Sequence, residues 1–215
     1  MLLPDLRTLS TRLKSGLQQP LPGQPVQQTM APNPRRNNPD RQRRPLRQAG
    51  VLFLFYAKDG HMYLPFIERP RYDGPHSGQI ALPGGQREVG DPDLAATAVR
   101  ETGEEIGVPG SCIRVLGQLT PVYIPNSHYL VTPSVGLMST VPTFRPDPTE
   151  VKAILECPLA LLFDPARRKR EIWNIGNLDV DVPFFHVGEH RIWGATAMML
   201  AELLEVIRRT EAEAG

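Results

Sequence analysis

The sequence has little cysteine, almost no net charge and no long hydrophobic run. Its two cysteines, Cys112 and Cys157, form no C-x-x-C pair and have no histidine at metal-binding spacing, so we expect both to be reduced packing residues. The net charge of +1 excludes a strong general attraction to nucleic acid or membranes. No apolar run approaches the length of a transmembrane helix, and the N-terminus has no secretory pattern. We therefore expect a cytoplasmic protein, with neither a membrane nor a nucleic acid as its partner.

The length and composition indicate one folded domain with an extension at its N-terminus. With 40% apolar residues in 215, the chain can form one substantial core, and we predict that it occupies residues 48–215. Residues 1–47 begin with an apolar repeat at three- and four-residue steps, typical of an amphipathic helix. This repeat consists of Leu6, Leu9, Leu13 and Leu17. We expect the helix to dock on the core, and a homodimer contact is the alternative.

Residues 20–47 are rich in proline, glutamine, asparagine and arginine and contain few apolar residues. The basic residues are Arg35, Arg36, Arg41, Arg43, Arg44 and Arg47. Such a composition favours an irregular segment that lies over the surface. A solvated arm is the preferred interpretation, and contact with phosphate or with an acidic partner is the alternative.

The first strands are predicted by two apolar runs, 51–56 and 62–67, joined through Asp59-Gly60. Asp-Gly is a favoured pair in β-hairpin turns. The first run is apolar at every position, so we expect it at the centre of the sheet. Later patterns predict strands at 112–121, 130–138 and 151–155, a hairpin over 171–185 around Gly176-Asn177, and a C-terminal helix that residues 190–197 open. The helix has an apolar stripe formed by Ala197, Leu200, Leu203, Leu204 and Ile207.

A glycine turn followed by one helix dominates residues 82–108. Asp91 is a good N-cap, Pro92 suits the first turn and Gly107 suits the end, so we predict a helix over 92–106. Its apolar stripe comprises Leu94, Ala95, Ala98, Thr102 and Ile106. The other face carries Glu101, Glu104 and Glu105, which a helix brings together, and like charges at this spacing destabilise an isolated helix. A divalent cation held by carboxylates would compensate, whereas the alternative is a solvated acidic face.

The order of residues around these acids resembles the Nudix box, at about 85–108. The matching residues are Gly85, Arg100, Glu101, Glu104, Glu105 and Gly107. Asp91 stands where the family has glutamate, with one residue more before the arginine, and Thr102 replaces a larger apolar residue. The resemblance implies an α/β fold, the Nudix α/β/α sandwich with a mixed sheet between helices. It also implies a hydrolase that splits nucleoside diphosphates linked to another moiety.

The roles of the acidic residues follow from the same resemblance. Glu101 and Glu105 would be the main ligands of Mg²⁺ or Mn²⁺. Glu104 would complete a second metal site or orient water, and Arg100 would aim the carboxylates through an ion pair with Asp91. Outside the box, Glu150 precedes a predicted strand and is a candidate general base, and the alternative is an ordinary surface acid.

Residues 76–85, HSGQIALPGG, resemble the segment before the box in the coenzyme A diphosphatase branch of the family. Coenzyme A is therefore the favoured small-molecule substrate, with 3′,5′-ADP and 4′-phosphopantetheine as products. The branch has a second arginine where this chain has Gly74, and Arg71 is a candidate substitute. The implied substrate contacts are Arg69, Arg71, His76, Gln79, Gly84 and Gly85. ADP-ribose, NADH and a non-catalytic nucleotide- or RNA-binding role are the alternatives.

A turn-rich loop at 121–129 carries Tyr123, Asn126, His128 and Tyr129. An adenine or a pantetheine group could stack on these rings or form hydrogen bonds with them. Packing within their own loop is the alternative. We retain Tyr123 and His128 as candidate substrate contacts.

Overall fold

The computed structural model describes residues 5–34, 45–71 and 77–212. Within these ranges, the helices are α1 (Leu6–Gly16), α2 (Gly23–Gln28), α3 (Leu94–Ile106), α4 (Leu159–Phe163) and α5 (Gly194–Ala212). The strands up to residue 124 are β1 (Arg47–Lys58), β2 (His61–Glu68), β3 (Ile80–Ala81), β4 (Gly84–Gln86), β5 (Arg114–Gln118) and β6 (Val122–Ile124). The later strands are β7 (Tyr129–Leu137), β8 (Ala153–Pro158), β9 (Arg168–Ile175), β10 (Leu178–Val187) and β11 (His190–Trp193).

Strand β1 lies at the centre of the larger sheet. It pairs in parallel with β7 and antiparallel with β2 and β4, so the sheet is mixed. The main strand order is β3-β2-β1-β7-β5, with β8 on β2 and β6 on β7. The β1–β2 turn has positive φ at both Asp59 and Gly60, as a two-residue hairpin turn requires. The central strand and the first hairpin were both predicted correctly.

The two faces of β1 define the layers of the fold. Leu52 and Leu54 pack on one face with residues of α3, including Ala98. Phe53 and Phe55 pack on the other face with residues of α1 and α5. The sheet therefore lies between helices, and the predicted α/β/α sandwich with a mixed sheet is confirmed.

A second sheet has the order β11-β10-β9. Its β9–β10 hairpin turns at Gly176 and Asn177, both with positive φ, as predicted. Asn33 forms an isolated bridge to Asp181 of β10, which ties the N-terminal segment to this sheet. The prediction that the C-terminal helix opens at His190 is wrong, because residues 190–193 pair with β10 as β11, and α5 begins only at Gly194.

The N-terminal helix docks on the core, as expected from the sequence. Asp5 caps α1, and Leu9 and Leu13 are buried in the core that α5 shares. The irregular structure predicted for residues 20–47 is wrong at Gly23–Gln28, which form α2. This helix is held by Glu202 of α5, a contact that local composition does not reveal. Arg35, Arg36, Arg41, Arg43 and Arg44 lie outside the described residues, and the domain division at residue 47 stays a prediction.

Three local predictions need correction. The box helix begins at Leu94 with Asp93 as its N-cap, because the Asp91 carboxylate binds Arg100 instead. The strand predicted at 151–155 begins only at Ala153. Cys112 is exposed, so it is not a packing residue, whereas Cys157 is buried. In the described part of the chain, the helices are too short or too polar to cross a membrane.

Candidate active site

Two glycines bring the backbone of β4 against its neighbours. A Cβ at Gly84, whose φ is +146°, would lie 2.5 Å from the Cα of Val51. A Cβ at Gly85 would lie 2.5 Å from the Cδ of Glu101. Because no larger residue fits without displacement, this turn approaches the α3 carboxylates closely. The Gly84 N–H donates a 2.7 Å hydrogen bond to Oε2 of Glu105.

Helix α3 lies close to the central strand. A Cβ at Gly50 in β1 would come within 3.0 Å of the Ala98 backbone nitrogen. The helix begins with the Asp93 side chain accepting from the Ala96 N–H and ends at Gly107, which has φ +73°. These caps and the close packing fix which residues of α3 face the β4 turn.

Arg100 joins several acids of the site. Its guanidinium donates 3.0 Å hydrogen bonds to both oxygens of Asp91 and contacts Glu101 at 2.9 Å and Glu104 at 2.7 Å. Asp91 is buried and also accepts from the Thr97 hydroxyl. The Arg100 hydrogen bonds hold the pKa of Asp91 well below its usual value, and Asp91 raises the pKa of Arg100. The ion pair expected between Arg100 and Asp91 is therefore present.

The acids of the box differ in burial. Glu105 is 2% exposed, and burial raises the pKa of its carboxyl to about 7. Burial also raises the pKa of Glu101, although Arg100 opposes this effect. The Glu104 side chain is 58% exposed. The three helix positions therefore provide two different environments, with Glu101 and Glu105 inside and Glu104 at the surface.

The expected convergence of all three glutamates is not observed. Within the described ranges, no group of three or more His, Cys, Asp or Glu side chains is arranged to hold a metal ion. The reason is local, since Glu104 and Glu101 bind Arg100 while Glu105 accepts from the β4 backbone. Nevertheless, Glu101 and Glu105 present hard oxygen donors in one cavity, and the pKa of each is raised by burial. A divalent cation would relieve that cost, so these residues fit such an ion.

A cavity of about 410 Å³ opens beside these glutamates. It unites seven of the residues proposed from the sequence: Arg69, Gln79, Gly84, Gly85, Glu101, Glu105 and Glu150. Arg69 Nε is buried and has no hydrogen-bond partner among the described residues. A buried guanidinium N–H without a partner is suited to bind an incoming anion. Cavity, carboxylates and arginine together provide acceptors for a cation and a donor for an oxyanion.

Other candidates lie elsewhere. Arg71 is exposed and lies beside Gly78, outside the cavity lining. Tyr123 hydrogen bonds to Nδ1 of His128 at 2.8 Å, and their rings meet edge to face. Neither ring lines the cavity, which matches the alternative that they pack within their own loop. His76 lies outside the described residues, and the substrate contacts of all four stay predictions.

Two further parts of the cavity wall come from residues that were not among the candidate substrate contacts. Tyr129 donates a hydrogen bond to Oε1 of Gln86 at 2.5 Å, and the Arg47 guanidinium lies 4.1 Å from the centre of the Tyr129 ring. The second part is apolar and includes Met198 of α5 and Pro32 of the N-terminal segment. The first part belongs to the turn-rich loop 121–129, which was predicted from the sequence as a possible contact for adenine or pantetheine. No local pattern identifies the second, because its residues come from distant segments.

The fold and the site define a class of α/β protein in which one helix presents glutamates to a cavity beside a glycine turn. Comparison with known proteins identifies the family. The NUDIX domain model matches residues 46–172, and the chain belongs to that family. The predicted family and the predicted enzyme class, a hydrolase acting on acid anhydrides, are confirmed. Nudix hydrolases generally use divalent cations.

Relatives with curated names are Nudix hydrolases. The chain is 35% identical over 172 residues to Nudix hydrolase 22, chloroplastic, from Arabidopsis thaliana, an alignment that covers 76% of this chain but only 56% of that protein. It is 31% identical over 166 residues to mitochondrial coenzyme A diphosphatase NUDT8 from Homo sapiens, covering 76% of this chain and 70% of that protein. A solved Nudix hydrolase from M. smegmatis, RenU, has a TM-score of 0.52 at 18% identity, covering 76% of this chain and 87% of that one. The last similarity concerns the fold alone.

Proposed function

We propose that this protein hydrolyses a nucleoside diphosphate linked to another moiety in a metal-dependent reaction, with coenzyme A as the favoured substrate. The products would be 3′,5′-ADP and 4′-phosphopantetheine. The observation that carries the proposal is the juxtaposition, in one cavity, of the buried carboxylate of Glu105, the partly buried carboxylate of Glu101 and the Nε of Arg69, which has no hydrogen-bond partner among the described residues. The segment 76–85 and the similarity to a coenzyme A diphosphatase favour this substrate within the family.

Glu101 and Glu105 would hold Mg²⁺ or Mn²⁺, and Glu104 would complete a second metal site or orient water. Because Glu104 is bound to Arg100, it would have to leave that ion pair to reach a cation. A bound divalent cation polarises phosphoryl oxygens and lowers the pKa of a coordinated water. Arg100 acts through its ion pairs, orienting Glu101 while Asp91 holds the guanidinium in place.

The remaining residues bind the diphosphate and accept a proton. Arg69 donates to a non-bridging phosphate oxygen, and the turn at Gly84-Gly85 lets the diphosphate approach the backbone. Glu150 is exposed and lines the cavity, so its carboxylate can accept the proton of the attacking water. Water oxygen then bonds to phosphorus, the bridging P–O bond breaks, and the leaving phosphate takes the electron pair. Gln79 also lines the cavity, and its side-chain amide would donate to the substrate.

ADP-ribose, NADH and related compounds are the alternative substrates, because the box residues address only the diphosphate. A non-catalytic nucleotide- or RNA-binding role is a further alternative, which the carboxylates of Glu101 and Glu105 in the cavity disfavour. A cytoplasmic location and a homodimer stay predictions. So do the substrate contacts of Arg71, His76, Tyr123 and His128.

A substrate panel in ¹⁸O-labelled water tests the proposal. Coenzyme A, ADP-ribose and NADH are each supplied with Mg²⁺ or Mn²⁺, and kcat/KM is compared. We expect the highest value for coenzyme A, with ¹⁸O in one of the two product phosphates and no turnover in EDTA. If another compound had a higher kcat/KM, that compound would replace coenzyme A as the favoured substrate. If no compound were turned over in a metal-dependent way, the proposed hydrolysis would be refuted.

A further inference from the structure

The cavity has two chemically different parts. The glutamates come from α3, which packs on one face of the sheet, whereas Met198 comes from α5, which packs on the other. Several of the cavity's apolar lining residues, here called the apolar wall, are Pro32, Pro34, Ile175, Val180, Trp193 and Met198. Proline residues of the N-terminal segment are thus part of the wall, although they lie outside residues 46–172, which match the family.

The N-terminal segment is held in this position by a buried carboxylate. Glu202 is 0% exposed, and none of the ion pairs among the described residues includes it. Its oxygens accept from the Gly23 N–H at 3.1 Å, from Gln27 Nε2 at 2.7 Å and from the Thr120 hydroxyl at 2.6 Å. A buried carboxylate is costly unless donors of this kind satisfy it. Glu202 therefore ties α2 to α5, one helical turn from Met198.

The other end of the segment is fixed to the second sheet. The Asn33 N–H donates to the Asp181 carbonyl at 2.9 Å, and the Asp181 N–H donates back at 2.8 Å. Nη2 of Arg168 donates to the Thr29 hydroxyl at 2.6 Å. Because both ends are tied, Pro32 and Pro34 are held against the cavity.

We propose that residues 20–34 form a specificity wall for the uncharged group attached to the diphosphate, and that Glu202 is the positioning residue that holds this wall. The inference rests on the proposed function and adds which part of the substrate meets which part of the protein. Among the described residues that line the cavity, Arg69 is the only cation. Among the described residues of the apolar wall, none offers a counter-charge to a 3′-phosphate, whereas the pantetheine arm, which is uncharged and partly aliphatic, suits this wall.

Two substrates with the same diphosphate test this assignment. One is coenzyme A, and the other is 3′-phospho-ADP with a methyl ester on its distal phosphate, which lacks the arm. For Glu202→Gln we expect KM for coenzyme A to rise about fivefold, the effect of one hydrogen bond on a binding constant. The kcat for both substrates and the KM for the methyl ester should stay within about twofold of wild type. Glu205→Gln is the control, since Glu205 lies on the same helix but pairs with Arg208 and Arg209.

A second pair of variants separates positioning from general damage. Thr120→Val removes the hydroxyl that donates to Glu202, and Thr120→Ser keeps it. We expect the valine variant to reproduce the selective rise in KM and the serine variant to behave as wild type. Circular dichroism and the melting temperature report whether each variant is folded.

Equal changes in KM for both substrates, or no change in either, would overturn the specificity wall and leave the proposed function intact. The same holds if wild type has equal KM values for coenzyme A and the methyl ester. Hydrolysis of neither compound by wild type would refute the proposed function and this inference together. If Glu202→Gln raises KM for coenzyme A but not for the methyl ester, and Thr120→Ser changes neither, the specificity wall is supported.

Discussion

Replacement of Glu105 by glutamine is expected to stabilise the metal-free protein at high pH while removing its activity. Glu105 is buried, and its pKa is raised from 4.5 to about 7 by that burial. Between these two values the folded protein binds the proton more tightly than the unfolded chain. The free energy of unfolding therefore falls as the pH rises from about 4.5 to about 7. At about 1.4 kcal/mol per pH unit, the loss is about 3 kcal/mol.

The glutamine side chain in Glu105→Gln carries no charge, so this variant avoids the loss in free energy of unfolding. Its amide oxygen can still accept the hydrogen bond from the Gly84 N–H, so the local contact remains. In urea unfolding with EDTA, we expect the variant to exceed wild type by about 3 kcal/mol at pH 8 and to match it at about pH 4.5. Added Mg²⁺ should stabilise wild type at pH 8, because binding to the folded state alone raises stability, and should have little effect on the variant.

Glu104→Gln is the matched control. The Glu104 side chain is exposed and belongs to a surface ion pair, so its replacement should change the free energy of unfolding by less than about 1 kcal/mol at either pH. If Glu105→Gln failed to gain stability at pH 8, the cost assigned to its buried charge would be wrong. An equal gain for Glu104→Gln would show that removal of negative charge in general is responsible.

Three further substitutions test the rest of the site. Gly85→Ala should lower kcat at least about tenfold with little change in melting temperature, because the added Cβ displaces the carboxylate of Glu101. Gly90→Ala is the control, since a Cβ there meets open space, and it should match wild type in both measurements. Equal kcat values for the two variants would contradict this expectation. Asp91→Asn should lower the free energy of unfolding in urea by about 2 kcal/mol, since Arg100 loses a charged partner. An unchanged unfolding midpoint would show that the Arg100–Asp91 ion pair does not stabilise the fold. Arg69→Ala should raise KM for coenzyme A about tenfold or more, and a KM equal to wild type in steady-state kinetics would exclude phosphate binding by its Nε.

Local patterns predicted the elements that local physics determines. The Asp59-Gly60 turn and the all-apolar run of β1 gave the hairpin and its central place, because turn chemistry and burial act over a few residues. The ion pair between Arg100 and Asp91, which the resemblance to the Nudix box implied, is also present. Their nine-residue separation spans the start of one helix, so little else in the fold needs to be known.

Contacts between distant segments were beyond the reach of such patterns. Helix α2 is short and has no side-chain cap, and it depends on Glu202, which is 179 residues from Gly23. The divergence of the glutamates was missed for a related reason. Helical spacing places Cβ atoms on one face, but Arg100 decides where the carboxylates of Glu101 and Glu104 point.

The family match ends at residue 172, before β10, β11 and α5, and begins after Pro34. A polypeptide trimmed to those limits would keep Glu101 and Glu105 but would lose Met198 and the core that α5 shares with β1. The segment that matches the family model is therefore smaller than the part of the chain that lines the cavity. Domain swaps or fusions are best designed with both ends of the chain retained.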